Sequence, residues 1–156
     1  MPDNHSLPPT PAIALGPLEG SIGYALRRAQ LAVFHDFHAA MAEHDIRTAQ
    51  FSVLEVLRHN PGLRQREVSA VLGIKTANFV PLFDALERRD LAERQPIAGD
   101  RRARGLHLTR AGQALLDRLE AVVGSHEARF ANRIGAAGKA QLLGLLHRLT
   151  DPAFDP

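Results

Sequence analysis

A chain of 156 residues without a single cysteine has no disulfide, thiolate nucleophile or thiol redox sensor to offer. Its hydrophobic share of 45% and charged share of 23% suit one domain with a core and peripheral arms, and no apolar run approaches the roughly 20 residues of a membrane helix. The formal net charge of +2 hides a segregation, because residues 48–110 hold eleven basic and seven acidic side chains and the remainder eight and ten. A basic centre between slightly acidic flanks suits a polyanion, but an Arg-rich solvated surface has the same composition, and charge alone does not separate the two.

The first 17 residues, "MPDNHSLPPTPAIALGP", carry four prolines before Ala12 and neither the basic cluster nor the apolar centre of an export signal. They are expected to form a disordered or extended arm, and the protein is expected to be cytoplasmic. From Leu18 to about His44 the pattern is helical. Ile22, Leu26, Ala29, Val33, Phe37 and Ala40 mark one apolar face, and Leu31, Phe34, His38 and Met41 a second beside it. A helix apolar over that much of its circumference needs more than one partner. Thr48 is read as the cap of a helix with Phe51, Leu54 and Leu57 inward, stopped at Asn60-Pro61-Gly62. "LRQREVSAVLG" is a shorter helix with Val68, Val71 and Leu72 inward and Gly73 closing it.

The next stretch, "LGIKTANFVPLFDALERRDL", is amphipathic, but carries Pro81 in its interior, where a backbone hydrogen bond is lost and the carbonyl four residues back is crowded. Two short helices joined by a tight Gly-containing turn are a helix-turn-helix signature. Leu91–Arg94 and Arg104–Leu108 alternate as strands around the polar, basic "QPIAGDRRA", which reads as a hairpin with a charged tip. Thr109 caps a long final helix, broken or bent near Gly135–Gly138. The fold class is therefore mainly α: a winged helix-turn-helix with a two-stranded wing, flanked by long N- and C-terminal helices. The expected divisions are an arm over 1–17, a dimerisation helix over 18–46, a DNA-binding domain over 47–109, dimerisation helices over 110–150 and a tail over 151–156. Surplus apolar surface on the flanking helices favours a homodimer.

Residues 48–112 resemble the core of the MarR family of bacterial transcription regulators. The likeness lies in "QFSVL" at the start, "LERRDLAER" at the exit from the second helix of the pair, "DRRAR" at the wing and "LTRAG" at the last cap. In looser pattern it extends over residues 20–148. The resemblance implies that Lys75–Arg89 is a recognition helix whose N-terminal residues enter the major groove. Thr76 is then a plausible cap, and Ala77, Asn78 and Pro81 point outward, with Phe79, Leu82 and Leu86 inward. Asn78 offers the donor–acceptor pair that adenine takes, Thr76 or Ala77 can touch a thymine methyl, and Lys75 suits a phosphate. Relatives often carry a polar or basic residue at the place of Pro81, so apolar contact replaces a hydrogen bond there, or the proline only bends the helix. Arg101 and Arg102 are expected to reach the minor groove, Asp100 to pair with one of them and hold the loop, and Arg104 to meet the backbone. Arg64 and Arg66 are further phosphate candidates.

The resemblance also implies a small organic effector, an aromatic acid or its acyl-coenzyme A thioester, bound between the first helix and the DNA-binding lobe. Phe34, His35, His38 and Phe51 are the expected cavity residues, with Arg27 and Arg28 available for thioester phosphates. No cofactor beyond that effector and no metal is expected. A zinc-responsive alternative would join His35 and His38, with His44 nearby, to His126 or Glu127, but three-residue spacing on a helix supplies only two ligands. His38 on its apolar line is otherwise a buried, hydrogen-bonded residue. An enzyme is not expected, for there is no Gly-rich phosphate loop, no nucleophile setting and no carboxylate pair in a cleft. The remaining rival is a winged-helix protein-interaction module without operator binding, which would not need three arginines at the wing.

Overall fold

The computed structural model describes residues 13–151, except the side chains of Arg101 and Arg102. The expected arm lies outside the described residues up to residue 12, and within its last residues a 3-10 turn begins, over Gly16–Gly20. Helix α1 then runs over Ile22–Met41. The chain divides at Ala32–Val33 into two compact units. Burial along α1 follows that division: Ile22, Leu26 and Leu31 are exposed, whereas Phe37 and Met41 belong to the core of the second unit.

In the second unit, α2 (Thr48–His59) is followed by β1 (Leu63–Arg64), α3 (Gln65–Val71), α4 (Thr76–Arg88), β2 (Ala92–Ile97), β3 (Asp100–Leu108) and α5 (Arg110–Leu149). The sheet is antiparallel in the order β1-β3-β2. Its third strand, β1, is an addition to the expected two-stranded wing, and it pairs Leu63 with Leu106 and Arg64 with Gly105. Gly105 lets it approach, since a Cβ there would stand 2.8 Å from the Gly62 carbonyl oxygen. Val53, Leu54, Leu57, Phe79, Phe83 and Leu119 are wholly buried at the centre of the core that α2, α4 and α5 share with the sheet.

Two helix starts differ from expectation by one residue. Arg47 holds the cap position of α2, and Gln50 accepts from its N–H at 3.1 Å. Thr48 is the first helical residue and turns its hydroxyl to His38 Nε2, 3.0 Å away. Lys75, not Thr76, caps α4. In α3, Val68 is buried but Val71 is exposed. The helix has only two turns, and position 71 lies 60° off Val68 on the side away from the buried Ser69.

The long last helix starts as its sequence predicts. Thr109 Oγ1 accepts from Gly112 N–H at 3.0 Å and donates to the Asp90 carbonyl, while Thr109 N–H donates to Leu91 O. Gly112 makes that join possible, because a Cβ there would fall 2.0 Å from Leu91 O. Gly135, at φ 74 and ψ 163, breaks the helix within the expected segment. Beyond it, Leu142, Leu143, Leu145 and Leu149 are exposed. No helix among the described residues is long and apolar enough to cross a membrane.

Candidate nucleic-acid interface and internal cleft

The N-terminal turn of α4 is presented outward. Lys75, Thr76, Ala77, Asn78 and Pro81 are all exposed, while Phe79, Phe83 and Leu86 are buried on the opposite face and Leu82 is half-buried. This is the amphipathic division the sequence predicts, with Phe83 the additional anchor. The helix continues through Pro81 to Arg88. Pro81 lies past the first four N–H groups that have no helical acceptor, so the Ala77 carbonyl loses a partner it would otherwise have.

What fixes α4 against the wing is a set of contacts absent from the sequence reading. Arg94, on β2, reaches back across the joint: its side chain bonds Glu87, its Nη2 donates to Asp84 at 2.8 Å, and its backbone N–H donates to Glu87 at 3.0 Å. Its guanidinium also lies over the Phe83 ring, 4.6 Å from the centroid. Arg89, at the other end of α4, donates to Asp45 O at 2.5 Å. Two arginines thus hold the helix at its C-terminal half and leave the N-terminal turn clear. The only advance signal was that "LERRDLAER" interleaves opposite charges.

The wing is longer and tighter than expected. Its strands extend to Ile97 and from Asp100, leaving Ala98-Gly99 as the turn, with Gly99 at φ 81. Arg101 and Arg102 therefore lie in strand β3 beside the turn, opposite the register shift between Pro96 and Ile97. Their side chains, and so any pairing of them with Asp100, lie outside the described residues. Asp100 accepts from Ala103 N–H at 3.2 Å and stands 3.8 Å from Arg64, which ties the wing to the start of α3. Arg64 is also the cap residue of α3, with Glu67 accepting from its N–H at 2.6 Å. Arg66 and Arg104 are exposed. Lys75 and Arg66 have no ion pair among the described residues, so their charges face outward unmatched.

A cleft of about 210 Å³ opens between three helices of the second unit. Val33, Phe34 and Phe37 come from α1, Thr48, Phe51 and Ser52 from α2, and Val123, His126 and Glu127 from α5. Phe34 and Phe51 line it as expected, but His35 does not, and His38 lines a separate pocket with Met41, Ala42, Asp45, Ile46 and Arg47. Residues 33, 34 and 37 span about 100° of the helix circumference, which leaves 38 at the edge and 35 beyond it. His38 is exposed and paired with Thr48. Arg27 and Arg28 are exposed on the first half of α1.

Among the described residues the buried histidine is His126, 3% exposed. Its Nδ1 is 2.6 Å from Asp36 Oδ2, and Arg129 bonds the same carboxylate through Nε at 3.1 Å and Nη2 at 2.6 Å. Phe37 and Phe130 meet the imidazole edge-on, with centroids 5.3 and 5.2 Å away. The hydrogen bonds from Arg129 first and His126 second pull the Asp36 carboxyl down from 3.8 to about 2, and the same bond raises Arg129. No group of three or more His, Asp or Glu side chains among the described residues is arranged to hold a metal ion, so the zinc alternative finds no ligand set there.

Residues 44–103 match the family model described as the MarR family. A putative transcriptional regulatory protein for the hcr operon of Thauera aromatica is 31% identical over 135 residues, 86% of this chain and 81% of that protein. Among solved structures, the transcriptional repressor CouR bound to a 23-mer DNA duplex is 41% identical, with a TM-score of 0.84 over 89% of this chain and 99% of that one. CouR bound to p-coumaroyl-CoA is 39% identical, with a TM-score of 0.83 over 90% and 99%. These proteins are regulators rather than enzymes, and the likeness runs far beyond the winged segment. The chain belongs to the MarR family of transcription regulators, with the DNA-binding winged helix of that family.

Proposed function

We propose that the protein is a homodimeric repressor of a pseudo-palindromic operator, released from it by a small aromatic acid or its acyl-CoA thioester. The observation that carries the reading is the exposed first turn of α4, Lys75–Asn78, backed by a buried aromatic face and clamped from behind by Arg94. A side chain that reads base edges must be both accessible and fixed in direction. The near full-length similarity to a repressor solved on DNA and with an aromatic thioester supports both halves of the proposal.

Release is a matter of geometry. A dimer must set two recognition helices about one DNA turn, roughly 34 Å, apart. The cleft is walled by α2 on one side and by α1 and α5 on the other, so a ligand that wedges it open moves the DNA-reading elements relative to the flanking helices and spoils the spacing.

The test is fluorescence anisotropy on the duplex upstream of the protein's own gene, with salt titrated for wild type and for Arg101→Ala/Arg102→Ala. Tight binding is expected, with log affinity falling linearly in log salt, and a weaker, shallower dependence in the variant. Adding p-coumaroyl-CoA is expected to lower the anisotropy. Binding no tighter than to random duplex would remove the repressor reading.

A further inference from the structure

The outward turn of α4 is oriented from behind by one side chain of the wing. Among the described residues, Arg94 makes every side-chain hydrogen bond between α4 and β2. Its guanidinium bonds Glu87, donates through Nη2 to Asp84 at 2.8 Å and lies over the Phe83 ring, 4.6 Å from the centroid. Its backbone N–H adds a bond to Glu87 at 3.0 Å. Asp84 and Glu87 stand three residues apart, about 4.5 Å along the helix axis. A single contact would leave the helix a pivot. Two carboxylates on the edge of a planar fork, with a ring against its face, leave neither roll nor tilt free.

The anchor itself is fixed in the sheet. Arg94 pairs across to Leu106 on β3, which is buried and pairs on its other side with Leu63 of β1. The same strand β3 carries Arg101, Arg102 and Arg104, so the clamp ties α4 to the element that presents the wing. Its charge is not offered to DNA. Arg94 is bonded by both carboxylates, and neither Asp84 nor Glu87 has another ion-pair partner among the described residues. A cluster of one guanidinium and two carboxylates is net negative, the wrong sign for a phosphate contact.

From the clamp to Asn78 is about seven to eight residues of helix, roughly 11 Å. A tilt of α4 by about 10° at the clamp would move Asn78 by about 2 Å, more than the spread of hydrogen-bond lengths accepts. Base-edge bonds would be lost, whereas attraction to phosphates, which falls slowly with distance, would persist. We propose that Arg94 is a positioning residue for base reading: it locks α4 against the wing, so that sequence discrimination, and not general affinity for DNA, depends on it. The assignment rests on the operator-binding reading above and adds which residue sets the discrimination.

The test is fluorescence anisotropy of the full-length protein on two duplexes of equal length, the one upstream of its own gene and one of random sequence, with salt titrated on each. Arg94→Lys keeps the charge but neither the fork nor the stacking on Phe83. Its operator-to-random affinity ratio is expected to fall about tenfold, the scale of one lost base contact. Its affinity for random duplex and its salt slope there are expected to match wild type. Asp84→Asn, which leaves the Glu87 bonds in place, is expected to lose part of the ratio, and it carries the test if Arg94→Lys loses its helical circular dichroism. An unchanged ratio in either folded variant, or an equal loss on both duplexes, would overturn the assignment and leave the operator reading standing. A shallower salt slope on random duplex would overturn it too, by making Arg94 a phosphate contact. Wild type that does not distinguish the two duplexes would overturn both readings.

Discussion

Asp36 accepts hydrogen bonds from two cationic or cation-capable side chains on α5, and this makes the contact between the second half of α1 and α5 sensitive to acid. Its folded pKa of about 2 lies below the ordinary 3.8. A carboxylate lowered in this way stabilises the fold fully above its unfolded pKa, and loses that contribution as pH falls from there through the folded value. Thermal melts from pH 7 down to 2 are expected to show a plateau, then a decline below about pH 4. In Asp36→Asn the melting temperature is expected to be lower at pH 7, with the gap closing toward pH 2. A constant gap would mean that the carboxylate's charge is not what holds the contact. None of this was legible in the sequence. Asp36 and His126 are 90 residues apart on two amphipathic helices, and neither pattern singles out its partner. His38 attracted attention instead because its apolar neighbours are adjacent in sequence.

At the scale of the element, α4 keeps a proline where an alanine would be more favourable by about 3 kcal/mol in an exposed helix interior. Pro81 is exposed on the same side as Asn78. Under the proposed DNA-reading role, Pro81→Ala is therefore expected to raise the melting temperature while weakening operator binding, through loss of the ring's apolar contact. Higher stability with unchanged affinity would instead make the proline only a bend. The elements themselves were largely readable. Helical spacing gave α2 and α4, Gly62 and Gly73 gave the stops, Thr109 gave the start of α5 and Gly135 its break. Strand β1 was not readable, because Leu63 and Arg64, the second of them also the cap of α3, are too few to alternate. The wing's outer turn was misplaced for a related reason: Pro96 and the charges at 100–102 read as loop, although β2 is an edge strand that tolerates a proline, and β3 there is paired on the β2 side alone. The exposure of the N-terminal turn of α4 followed from amphipathicity and resemblance. The Arg94 clamp did not, because it joins side chains that only the helix-to-strand turn brings together.

For the whole molecule, the exposed leucines of α5 decide how the chain is completed. Leu142, Leu145 and Leu149 recur at three and four residues, on one stripe beyond the break at Gly135, and each is close to half exposed in the single chain. Burying a leucine side chain fully is worth about 1.5–3 kcal/mol relative to leaving it in water, so a stripe met by its own copy supplies a strong self-complementary contact, as a two-fold interface requires. Substituting Leu142→Glu and Leu145→Glu together leaves the core of α2, α4 and α5 untouched, because neither leucine belongs to it. The doubly substituted protein is expected to keep its helical circular dichroism, to sediment as a monomer where wild type sediments as a dimer, and to bind the full operator no better than a half-site. A variant that still sediments as a dimer would move the interface away from this stripe, toward other exposed apolar residues such as Ile22 and Leu26 on the first half of α1. The operator experiment then separates assembly from recognition. If half-site affinity survives while full-site affinity falls, the recognition helix is intact and the dimer supplies the gain by holding two of them at one spacing.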